Sequence, residues 1–156
     1  FFPFVIIFFY YIINQNHYNY NNIKNFKNGF KNYVNLEDEI YLDDKTKNLI
    51  KYYKKITLNE NCVENISFDD AIPYLLKKSS CSKYWASWLA SPIDVQKDYI
   101  REIKKTQPKY ILYYSGNEKF DGLGIYDRIE LVNSYVLSHY KKHREFEDYI
   151  ILEKKL

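Results

Sequence analysis

Hydrophobic positions along the chain fall into two regimes. The first thirteen residues, FFPFVIIFFYYII, are apolar or aromatic without a single charge. From Leu42 onward, apolar residues instead recur at helical or strand spacing between polar turn signals. Residues 14–41 separate the two, rich in Asn and Tyr, with Lys24, Lys27 and Lys31 spaced through them and no sustained period.

The second regime reads as alternating helices and strands. LDDKTKNLIKYYKKIT has Asp43 or Asp44 as a cap and a stripe of Leu49, Ile50, Tyr53 and Ile56, which predicts a helix. A short strand is expected around Cys62, Val63 and Ile66. FDDAIPYLLKKSS follows as a helix capped by Asp69 or Asp70, with Pro73 in its first turn. CSKYWASW is the next strand candidate, on the β preference of Tyr84 and Trp85.

Ser91, Pro92 and Asp94 then spell a helix start: a cap, a proline at the first helical position and an acid that answers the cap. Val95, Tyr99, Ile100 and Ile103 form the buried stripe of this helix, and Pro108 ends it. KYILYYS predicts a buried strand. DRIELVNSYVLSHY predicts another helix, with Asp127 as cap and Glu130 three residues on. EFEDYIILEKKL predicts a last strand, open to an antiparallel place at an edge. Such alternation implies a small three-layer α/β domain with a mostly parallel, Rossmann-like sheet of three or four strands.

The apolar start is shorter than the roughly 20 residues needed to cross a bilayer. It lacks the basic n-region and small-residue cleavage site of a signal peptide. A buried core segment is the other alternative, but apolar side chains on every face that give way at once to Asn-rich sequence fit lipid better. Residues 1–13 are therefore expected to be the end of a transmembrane helix, 14–41 a polar linker and 42–156 the α/β domain. Charge adds little: 23 basic and 20 acidic residues, net +3, are spread along the whole length, which argues against nucleic acid as a partner.

Candidate chemistry is sparse. In an open α/β sheet, ligands bind beyond the carboxyl ends of the strands, here Ser67 to Asp70, Ala86 to Ser91 and Ser115 to Asp127. The candidate ligand contacts are Asp69, Asp70, Lys83, Trp85, Asn117 and Asp121. Capping explains Asp69 and Asp70 more cheaply than catalysis does, and Asp121 lies beside glycines without any phosphate-binding fingerprint. Cys62 and Cys81 are expected near the starts of neighbouring strands, where buried thiols are the default and a disulfide is the alternative outside the cytoplasm. His139 and His143, four apart at a charged helix end, together with His17, show no metal-ligand spacing. No catalytic, cofactor or metal residue is proposed.

The segment DDAIPYLLKKSSCSKYWASWLASPIDVQKDYIREIKKTQPKYILYYSG, with the later FDG, DRIELVNSYVLSHY and YIILEKK, resembles the carboxyl-terminal soluble domain of polytopic bacterial glycosyltransferase-like membrane proteins. These belong to the C-type group, which uses polyprenyl-phosphate sugars. The resemblance spans about residues 60 to 156. It implies a membrane helix ending near Asn14 and a small α/β domain on the periplasmic side of the inner membrane. It also implies a parent enzyme that draws on a polyprenyl-phosphate sugar donor, with the catalytic carboxylate in a membrane portion that this chain does not contain. The expected partners are then the lipid bilayer and a lipid-linked sugar or glycan acceptor. Two alternatives remain open: a membrane-tethered binding or assembly module without catalysis, and a free-standing α/β enzyme using the loop from Ser115 to Asp127.

Overall fold

The computed structural model describes residues 42–155, so the expected membrane helix at 1–13 and the linker at 14–41 lie outside the described residues. The first element, α1 (Asp44–Ile56), starts where Asp43 accepts hydrogen bonds from the backbone N–H groups of Lys45 and Thr46. Leu49, Ile50 and Tyr53 are buried on one side of it. Each such side chain contributes about 1.5–3 kcal/mol when removed from water. Strand β1 (Cys62–Ile66), short helix α2 (Ile72–Leu75) and two-residue β2 (Ser79–Ser80) follow. After a 3-10 turn at Ser87–Leu89 come α3 (Ile93–Thr106) and β3 (Tyr110–Tyr114).

The carboxyl-terminal half holds a small hairpin, β4 (Lys119–Phe120) and β5 (Leu123–Gly124), then α4 (Ile125–Arg128) and α5 (Glu130–His139). A second hairpin, β6 (Tyr140–Phe146) and β7 (Tyr149–Lys154), completes the sheet. The strand order is β2-β1-β3-β7-β6. Strands β2, β1 and β3 run parallel, whereas β7 is antiparallel to both β3 and β6. The expectation of three helix, sheet and helix layers agrees with this. The mostly parallel, Rossmann-like sheet does not: the sheet is mixed, and its longest ladders are antiparallel.

Strand periodicity sorts the core into two layers. Val63, Tyr110, Leu112 and Ile151 pack against Leu49, Ile50 and Tyr53 of α1 and Ile72 of α2. Ile66, Ile111, Tyr113 and Leu152 pack against Tyr99 and Ile103 of α3 and Val132 and Val136 of α5.

Several expectations are corrected, each for a local reason. CSKYWASW is not a strand; only Ser79 and Ser80 pair with β1, and the chain then turns. The helix expected over 127–140 is broken at Ile129 into α4 and α5. The carboxylate of Asp127 accepts from Gly124 N–H at 3.2 Å, so it caps the earlier, shorter helix. KKHRE is strand rather than helix end: α5 stops at His139, and His143 stands in β6. The last strand, β7, is therefore internal, and the polar edge strand β6 was invisible as a strand because every residue from Lys141 to Glu145 is exposed. The α3 start shifts by one residue: Pro92 occupies the cap position, and Ser91 bonds back to the Trp88 carbonyl.

Cys62 and Cys81 form a disulfide, their Cα atoms 4.9 Å apart, so the default of two buried thiols is also corrected. Parallel neighbours seldom offer suitable Cβ geometry for a disulfide, but the two cysteines are not register partners. The partner of Cys62 in the ladder is Ser79, and Cys81 lies just past β2, where it still donates its N–H to Val63 O. The bond fastens the short edge strand to the sheet.

Candidate functional site

The three segments expected at the carboxyl ends of strands meet in space, although Ala86–Ser91 follows no strand directly. As the chain leaves β1, Asn65 and Ser67 pin it: Ser67 Oγ donates to Asn65 Oδ1 at 2.9 Å and accepts from Asp69 N–H at 3.0 Å. Asn65 Nδ2 closes the loop by donating to the Asp69 carbonyl at 2.7 Å. Ser87 Oγ, from the 3-10 turn, reaches the Ser67 carbonyl at 3.3 Å and holds that turn against the end of β1.

This framework separates two neighbouring carboxylates. Asp69 Oδ1 accepts from Ala71 N–H at 3.1 Å, a turn-stabilising bond just ahead of α2. The side chain of Asp70 does no capping. Its Oδ2 accepts the indole N–H of Trp88 at 3.1 Å, and its Oδ1 is buried without a partner among the described residues. Burial pushes the Asp70 carboxyl above its ordinary value, with Asp69 adding repulsion and the Trp88 bond acting in the other direction.

Aromatic rings line the space around these acids. Phe68 lies 6.5 Å from Trp88 and 6.0 Å, edge on, from Tyr114; Tyr149 meets Tyr114 edge on at 5.5 Å. A 370 Å³ cleft is lined by Phe68, Asp69, Tyr114, Glu118 and Tyr149. Tyr114 Oη accepts from Glu118 N–H at 3.3 Å, and a Cβ on Gly116 would run into that hydroxyl, so a glycine lets the chain cross above the ring.

The β4–β5 hairpin adds a second wall. Phe120 packs 5.1 Å from Trp88, and the guanidinium of Arg128 lies over Phe120 while donating to its carbonyl. Arg128 is largely buried, and its Nε has no partner among the described residues.

The sequence candidates therefore separate. Asp69 lines the cleft, and Asp70, next to it in the chain, is turned to the Trp88 indole and is not part of the lining. Asp121 forms, with Gly122, the two-residue turn between paired Phe120 and Leu123, both in the left-handed region at φ 52° and 77°. It is exposed, 3.8 Å from Arg128. Asn117 is exposed on the same loop. Lys83 is held by Asp98 of α3 at 2.5 Å, and that bond is the largest cause of the depressed Asp98 carboxyl. Trp85 is 60% exposed.

The rings of Phe68, Trp88, Tyr114 and Tyr149, with Glu118 and Arg128, were not singled out from sequence. Five of the six lie inside the strand-end windows or one residue from them, so position, rather than residue type, was the available signal. Among the described residues no group of three metal-ligating side chains converges. His139 and His143 are separated: His139 Nδ1 sits by the Tyr135 carbonyl, and His143 Nε2 is 3.1 Å from Tyr52 Oη.

No family model matches the chain, and no curated protein is similar to it. Among solved structures, it overlays on the C-terminal globular domain of an oligosaccharyltransferase from Archaeoglobus fulgidus with a TM-score of 0.44 and 13% identity, covering 73% of this chain and 99% of that domain. The likeness is one of outline, and no residue is carried across from it.

Proposed function

We propose that this is the extracytoplasmic domain of a multi-spanning, glycosyltransferase-like membrane protein. In this reading the cleft at the ends of β1 and β3 grips a sugar of the glycan acceptor or of a polyprenyl-phosphate-linked donor, and catalysis belongs to the membrane portion of the parent. The observation that carries it is the grouping of Trp88, Phe68, Tyr114 and Tyr149 around Asp69, Asp70 and Glu118. Rings offer flat apolar faces to the C–H side of a pyranose, and carboxylates accept its hydroxyls; a few fixed polar groups among aromatics is the usual make-up of a small-ligand site.

Asp70, next in the chain to the cleft-lining Asp69, adds a buried acceptor with no partner among the described residues, a cost of about 1–3 kcal/mol that a donor reaching Oδ1 would recover. The Cys62–Cys81 bond supports the compartment, because structural disulfides persist outside the reducing cytosol. Titration of the chain with N-acetylchitotriose and with mannotriose, followed by amide NMR shifts, tests the cleft. Shifts grouped at residues 68–70, 88, 114–118 and 149 are the expected result; shifts scattered over the surface, or none with either sugar, overturn it.

A further inference from the structure

The charges that are scattered along the sequence are gathered in space. Helix α1 carries Lys45, Lys47, Lys51, Lys54 and Lys55 against Asp44 alone, and β6 carries Lys141, Lys142 and Arg144 against Glu145 alone. These two elements thus hold a net six positive charges in a chain whose total is +3. They are neighbours: Tyr52 of α1 packs 5.4 Å from Phe146 of β6 and lies 3.1 Å from His143 Nε2. Arg144 reaches both rings, its guanidinium 4.3 Å from the Tyr52 ring centre and 5.0 Å from that of Phe146.

A 910 Å³ groove runs along this junction, with Lys45, Lys51, Lys55 and Arg144 among its lining residues. Three acids, Asp43, Glu147 and Asp148, line it beside these four basic residues. Asp43 caps α1, and Glu147 pairs with Lys45 at 2.7 Å. No carboxylate of the described residues pairs with Lys51, Lys55 or Arg144. Lysines on an edge strand are a common guard against strand pairing. That role does not explain the matching lysines of α1, or an arginine set against two rings with no carboxylate of the described residues paired to it.

We propose that the face built by α1 and β6 docks on an anionic phospholipid surface. Two observations select lipid over other polyanions. The apolar run at residues 1–13 precedes this face by about 30 residues, within reach of a short linker, with Lys24, Lys27 and Lys31 between. The disulfide favours a compartment outside the reducing cytosol, where nucleic acid is scarce. The inference rests on the membrane-tethered reading above, and it gives that reading an orientation: α1 and β6 toward the headgroups.

The test uses the full 156-residue chain with vesicles of phosphatidylcholine alone and of phosphatidylcholine mixed with phosphatidylglycerol. Tighter binding to the anionic vesicles, erased by high salt, is expected. Each basic group near such a surface accounts for about fivefold in affinity, so Lys51→Ala, Lys55→Ala and Arg144→Ala together lower the anionic preference roughly a hundredfold. Lys51→Arg with Lys55→Arg retains it, which separates charge from folding.

Equal binding to both vesicle types, or an unchanged preference in the triple variant, overturns the proposal. So does binding to a DNA duplex as tight as to anionic vesicles. Binding to neutral vesicles reports the apolar run separately. Its absence sinks the membrane tether, while the anionic preference still decides the role of this face.

Discussion

Trp88 donates its indole N–H to Asp70 across 3.1 Å, and this bond ties the 3-10 turn to the loop after β1. It leaves the other Asp70 oxygen buried and without a partner among the described residues. Trp88→Phe keeps a ring against Phe68 and Phe120 but strips the carboxylate of its donor. The expected loss is about 1–3 kcal/mol in denaturant unfolding. A change within error places the carboxylate in water and contradicts the geometry described.

Cys62 and Cys81 close a loop with a sequence separation of 19 residues around α2 and β2. A loop of that length contributes about 3 kcal/mol by restricting the unfolded chain. Unfolding in the presence and absence of a reductant measures it. Replacing both cysteines by serine is expected to destabilise the domain by a similar amount, and the intact chain should yield no free thiol before reduction.

Glu64 gives a pH dependence with a definite sign. It is fully buried, with Oε1 accepting from Tyr99 Oη at 2.5 Å and Ser82 Oγ at 3.1 Å, and burial pushes its carboxyl from 4.5 up to about 7. The folded state therefore holds this proton where the unfolded chain has lost it. The contribution is complete below about pH 4.5 and is lost as pH rises through about 7, for a change of up to ~3 kcal/mol. Glu64→Gln flattens this slope in pH-dependent melting. A slope that survives the substitution belongs to other groups.

Gln96 is a joint between helices. Its Nε2 donates to the carbonyls of Ser91 at 2.7 Å and Arg128 at 3.2 Å, and its Oε1 accepts from Leu131 N–H at 2.9 Å. Gln96→Leu preserves bulk but deprives three backbone groups of partners around the α4–α5 break. A loss of about 1–3 kcal/mol is expected, with faster amide exchange at Leu131 as the local sign. Exchange at Leu131 that stays slow removes Gln96 from this role.

The contrast between what pattern revealed and what it hid has a physical basis. Helix α1 and strand β3 were legible because each buries a regular stripe beside clear punctuation, Asp43 at one and Pro108 at the other. Strand β6 was not, because an edge strand whose central residues face water carries no alternation to read. The break at Ile129 and the role of Gln96 depend on tertiary partners some 30 residues apart in the chain.

The cleft was half legible in the same way. The strand-end windows located it, and Asp69 belongs to it with Asp70 beside it in the chain, but whether an acid caps, turns or waits for a ligand depends on which donor the fold brings near. Asp70 meets Trp88, whereas Asp121 is spent on a turn. The basic face was hidden for a related reason, since α1 and β6 lie far apart in sequence and adjoin only across the sheet edge.

The central claim, a sugar held at the end of β1 and β3, is tested most directly by the fluorescence of Trp88. The chain contains two tryptophans, so Trp85→Phe, at an exposed position, leaves Trp88 as sole reporter. Titration with N-acetylchitotriose or mannotriose is predicted to shift or quench that emission saturably, and Asp70→Asn is predicted to weaken the response without lowering stability. Saturable binding seen by calorimetry with no change at Trp88, or a response that Asp70→Asn leaves untouched, would contradict the account.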